Sequence, residues 1–179
     1  MLTNYRITKY NPQKRDSQGA YLDFEEWTSI SDVGKATALF LTYEAYEEIE
    51  NAYVAAVKTV LKEKNRFALN TSDVELHHVE SDFRTFEIDG RLASLSVDFS
   101  KEIVDIRDGV TLSGSELDKF IRLILREVIW MKLFNDVMVV TFGYDYYMYV
   151  ECEELQAITI AEIEKSGLYV EAFAIPIND

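Results

Sequence analysis

Cysteine occurs once in the 179-residue chain, at Cys152, and histidine twice, at the adjacent His77 and His78. One thiol cannot form an internal disulfide, and so few His and Cys side chains make a zinc hydrolase or zinc finger an unsuitable reading. Neighbouring histidines on a strand would also point to opposite faces. The two prolines, Pro12 and Pro176, lie near the ends, and no stretch rich in Gly, Ser or Pro marks a linker. A single domain over residues 1–179 is expected. No apolar run approaches the roughly 20 residues of a membrane span, and Met1–Arg6 lacks the apolar stretch of a secretory signal, so a cytoplasmic protein is expected. Basic residues are scarce, 18 against 32 acids, giving a net charge of −14. Binding to nucleic acid or an anionic membrane would have to work against that field.

Catalytic motifs are missing as well. Gly34-Lys35 resembles the end of a phosphate-binding loop, but Ser29 occupies the position of its first glycine. Neither a dinucleotide-binding glycine pattern nor a nucleophile elbow occurs. Cys152 at a strand end reads as a small apolar filler. No catalytic residue, metal ligand or cofactor is assigned.

With 48% apolar and 28% charged residues, the chain can form an ordinary globular core. Tyr5–Tyr10 alternates as a first strand, and the aperiodic residues from Asn11 to Ser29 form a long loop pinned by Tyr21, Phe24 and Trp27. Tyr46, Ile49, Tyr53, Val57, Val60 and Leu61 then recur at helical spacing, behind Thr42 as a cap. That helix is expected to end near Lys64. Strand-like fragments follow at Val74–Val79, Phe83–Ile88, Leu92–Phe99 and Ile103–Ile106, with a hairpin signal at Asp89-Gly90. Ser113 and Glu116 suggest a capping box, and the apolar run Leu117–Phe134 predicts a second long helix at the centre of the core. Val137–Phe142 and Tyr144–Glu151 then form either a hairpin or one bent strand. A short helix with Thr159 as its cap and Gly167 just past its end, and a last strand Leu168–Ile175, complete the pattern. The expected fold is α+β, a mainly antiparallel sheet packed against two long helices and one short one.

Charge is unevenly distributed. The first 35 residues are neutral, whereas Asn135–Asp179 carries nine acids against Lys165 alone. Period-two alternation places Asp145, Tyr147, Tyr149 and Glu151 on one face of their strand and Tyr169, Glu171 and Phe173 on one face of the last strand. Tyrosines among carboxylates suit contact with a basic protein, because the rings supply area at low entropy cost and the charge speeds encounter. The same open face could serve a homodimer. A basic stripe of Lys119, Arg122 and Arg126 on the second helix offers an alternative, a ligand or anion pocket with Trp27 of the long loop.

The segments Tyr5–Pro12, Glu26–Lys35, Leu125–Glu127 with Trp130, and Phe142–Tyr149 together resemble a little-characterised bacterial family of small acidic cytosolic proteins. In size and charge the chain is similar to immunity proteins of bacterial toxin systems, which inactivate a toxin by binding it. The resemblance implies a non-enzymatic protein-binding module, an immunity-type inhibitor of a basic toxin. The alternative is a small enzyme or ligand-binding domain with its pocket between residues 11–29, including Lys14, Arg15 and Trp27, and Arg122/Arg126.

Overall fold

A computed structural model describes residues 2–22, 27–34, 40–76 and 105–173. Among them are seven strands and three α-helices. The strands are β1 (Leu2–Thr8), β2 (Ala68–Leu76), β3 (Thr111–Ser113), β4 (Ile129–Phe134), β5 (Met138–Phe142), β6 (Tyr147–Glu153) and β7 (Tyr169–Phe173). The helices are α1 (Tyr43–Glu63), α2 (Gly114–Leu125) and α3 (Ala157–Glu164). All strands join one sheet in the order β3-β2-β4-β5-β6-β1-β7, and every neighbouring pair is antiparallel. The α+β expectation therefore holds. Expectations for Phe24, Lys35, His77 and His78, Phe83–Ile88, Asp89-Gly90, Leu92–Phe99 and Ile175 lie outside the described residues.

Alternation decides which side of the sheet is sealed. Tyr5 and Ile7, Ile129, Met131 and Leu133, Met138 and Val140, and Met148, Val150 and Cys152 are buried, and they share one core with the helices. α1 carries its stripe into that core through Tyr46, Tyr53, Val57, Val60 and Leu61. Thr42 caps it by accepting the Ala45 amide at 3.2 Å. The intervening strand residues face the other way and are mostly half-buried. Among the described residues no helix is long and apolar enough to cross a membrane.

One helix is shorter than its sequence suggests. α2 stops at Leu125, and Ile129–Phe134 is a strand whose buried Ile129, Met131 and Leu133 alternate with Trp130, Lys132 and Phe134. A continuous apolar run satisfies either period, so composition could not separate the two. The stop itself is a Schellman turn, in which the Glu127 amide donates to Ile124 O at 2.9 Å and the Val128 amide to Leu123 O at 3.0 Å. Glu127 fills the left-handed position, φ 60°, where glycine is usual, so the terminator was hidden. Ser113 precedes α2 but makes no side-chain cap bond, and α3 begins behind Gln156, with Thr159 buried inside it rather than capping it. β5 and β6 resolve as a hairpin.

The Glu127 turn yields a stability prediction. Glycine there relieves the left-handed strain, and Glu127→Gly is expected to raise unfolding stability by about 0.5–1 kcal/mol. A urea midpoint that is unchanged or lower would show that Glu127 is not strained.

Candidate functional site

Two clusters contain the residues singled out by sequence. The first lies inside, around Glu50. This carboxylate sits fully buried one turn after Tyr46 and one turn before Tyr53 on α1. Arg126, just past the end of α2, donates to it through Nε at 2.5 Å and Nη2 at 2.7 Å. Arg122 adds an Nη1 bond at 2.7 Å and reaches Asn51 with its other nitrogen. Burial opposes the Arg126 charge, but hydrogen bonding and attraction to Glu50 outweigh it and hold its pKa above the usual value.

Phenols extend this network towards the β5–β6 hairpin. Tyr146 OH donates to Tyr46 OH at 2.6 Å, and Tyr46 OH donates to Glu50 at 3.2 Å. Tyr53 OH donates to the Tyr146 carbonyl and accepts the Lys9 amide at 3.0 Å. Burial pushes the Tyr46 and Tyr146 phenols well above their ordinary pKa. These anchors hold Asp145 and Tyr146 at φ 59° and 61°, the pattern of a type I′ turn, although tyrosine is an unfavourable residue there. Trp27 packs on the same rings, 4.8 Å from Tyr146 and 5.5 Å from Tyr46, with Lys9 Nζ 4.2 Å above it.

Trp27, Arg122 and Arg126 are thus joined through one network, but its anion is already present as Glu50. Both guanidiniums bind that carboxylate.

The second cluster lies on the opposite side of the sheet. Tyr147, Tyr149 and Glu151 of β6 and Tyr169, Glu171 and Phe173 of β7 share the face turned away from the helices, with β1 between the two strands. Asp145 stands apart, exposed at the hairpin turn. The Tyr147 and Tyr149 rings stack at 6.4 Å, and Tyr149 meets Phe173 edge-on at 5.7 Å. Gly143 permits the hairpin to close, since a Cβ there would come within 3.2 Å of the Tyr149 ring.

Arg15, expected from the sequence to line the alternative pocket with Trp27, instead joins Arg6 on Glu171, a pairing that sequence reasoning did not foresee. Arg6 bonds Glu171 through Nε at 3.1 Å and Nη2 at 2.9 Å, and Arg15 does so through Nη1 at 2.8 Å and Nη2 at 2.7 Å. Arg15 also donates to Tyr21 OH at 2.6 Å. It is placed by the folded-back segment after β1, where Arg15 bridges Tyr21 and the Asp16 side chain accepts the Gln18 and Ala20 amides. Tyr10 rests on Tyr147 and Tyr21 at 5.6 and 5.3 Å. Burial pushes the Tyr147 phenol up to about 12. Alternation along β1 placed Arg6 on this side, but nothing local paired it with residue 171.

Among the described residues no group of three or more His, Cys, Asp or Glu side chains could hold a metal ion. Burial raises the Cys152 thiol to about 11, so it stays a protonated core residue at neutral pH. No family model matches the sequence, and neither a curated protein nor a solved structure matches it significantly. What the fold and the two clusters define is an α+β domain with one sheet face closed by helices and the other bearing aromatics and arginines.

Two predictions test these clusters. Glu50→Gln leaves Arg126 buried without its counter-charge and is expected to cost about 3–5 kcal/mol, whereas Arg122→Gln, at the wetter edge, costs about 1 kcal/mol or less. Denaturant unfolding separates them, and equal small losses would contradict a central Glu50. The Arg15 hydrogen bonds, then Arg6, hold Glu171 below the usual carboxylate pKa. Its contribution is therefore complete above the unfolded-state pKa and is lost as pH falls through the lowered folded value. The stability gap between wild type and Glu171→Gln should close between neutral pH and strong acid. A gap independent of pH would show that the charge contributes nothing.

Proposed function

We propose that the protein is a non-enzymatic binding module whose sheet face opposite the described helices docks onto a basic protein, in the manner of an immunity-type inhibitor of a toxin. The observation that carries this reading is the run of Tyr147, Tyr149 and Phe173 rings on the face opposite the helix layer. Rigid rings beside arginine are the side chains that dominate interface energetics. Arg6 and Arg15 consume the charge of Glu171, so that residue orders the face rather than attracting a partner. Attraction comes instead from Glu151, Asp145 and the net charge of −14.

The test uses the full chain as bait in bacterial lysate, identification of the retained protein, and association kinetics with that purified partner. The expected partner is basic. Its association rate should fall by about tenfold or more from low to high salt, and Tyr147→Ala/Tyr149→Ala should weaken affinity by about 30-fold. A rate indifferent to salt, or an affinity indifferent to both tyrosines, contradicts the reading. Sedimentation of the free protein covers the remaining case, because a dimer lost in the same double variant would assign the face to a second copy.

A further inference from the structure

The face that carries Tyr149 continues across β5 to β4 and β2. There Asp73, Glu75, Trp130, Lys132, Thr141 and Tyr144 line an open groove of about 330 Å³. The Trp130 and Tyr144 rings lie 5.0 Å apart at 54°, and Tyr144 is 76% exposed.

A bulge supplies the acids. β2 pairs Ser72 with Lys132 but Glu75 with Trp130, so two residues, Asp73 and Val74, stand where the partner strand has one. Asp73 takes up the irregularity at φ 53°. Without the extra residue, Val74 would lie opposite Trp130; with it, Glu75 does. The register shift therefore exchanges an apolar neighbour of the indole for a carboxylate. Asp73 Oδ2 meets Lys132 Nζ at 2.7 Å, but both side chains are more than half exposed, so this pair yields readily to a competitor.

Aromatic planes flanked by carboxylates match one chemistry, a planar delocalised cation that stacks on a ring while its N–H fork engages an acid. We propose that this groove receives an arginine side chain of the docked protein. The assignment rests on the reading of the sheet face as a surface for a basic partner. It places a specific anchor across β5 from the tyrosines of β6.

The sequence holds only two tryptophans, Trp27 and Trp130, which makes a direct assay possible. Full-length ¹⁵N-labelled protein is titrated with N-acetyl-arginine amide and, separately, with its uncharged citrulline analogue, following both indole N–H resonances. The arginine amide should shift the Trp130 signal saturably in the millimolar range and leave Trp27 in place, while citrulline has no comparable effect. Glu75→Gln should weaken the arginine response about threefold or more, with an unmoved Trp27 signal certifying the fold. Lysine amide should bind more weakly than arginine. A static Trp130 signal, an equal response to citrulline, or parallel movement of both indoles overturns the proposal. Arginine binding at Trp130 combined with a partner indifferent to Tyr147 and Tyr149 would retain the groove and reject the wider docking face. Loss of partner binding in the tyrosine variant with a silent Trp130 would do the reverse.

Discussion

A carboxylate buried at Glu50 is tolerable only because two guanidiniums and a phenol converge on it. Removing the ion from water is costly, and the cost is offset only where hydrogen bonds occupy its oxygens in fixed directions. That requirement ties α1 to the end of α2 and, through Tyr46 and Tyr146, to the tip of the β5–β6 hairpin. The helix layer, the hairpin and Trp27 consequently share one registration. A nonpolar core could fill the same volume, but it would impose no such directional constraint.

With one side of the sheet closed in this way, the other side is free to differ in composition. Tyr147, Tyr149 and Phe173 form a band of rings, and Arg6 and Arg15 clamp Glu171 beside it. Aromatic area and arginine are what interfaces concentrate at their centres, and here the carboxylate beside them is neutralised by specific bonds. The acids that remain unclamped stand further out, as at Asp145 on the hairpin tip. Under the proposed docking, long-range attraction and short-range contact fall to different residues.

Periodicity made much of this visible. Tyr46, Tyr53 and Val57 marked the buried stripe of α1, and strand alternation was enough to place Tyr147, Tyr149, Tyr169 and Phe173 on their correct sides. It failed where two periods coincide, because Ile121–Leu133 is apolar enough for helix or strand and the turn between them has glutamate in a glycine position. Glu50 was overlooked for a related reason. Beside Glu47 and Glu48 it looks like one more surface acid, and only its spacing from Tyr46 and Tyr53 places it within the apolar stripe. The Arg6–Glu171 bond spans 165 positions, and no local pattern could announce it.

The proposed docking requires recognition on the sheet face and not on the helices. A benzophenone amino acid placed at residue 149, compared with one at the exposed Ile158 of α3, tests that claim in living cells producing the partner. Photolysis is expected to join a basic protein to position 149 and to leave position 158 unlinked. The opposite pattern, with cross-linking through the helix and silence at the tyrosine band, would contradict it.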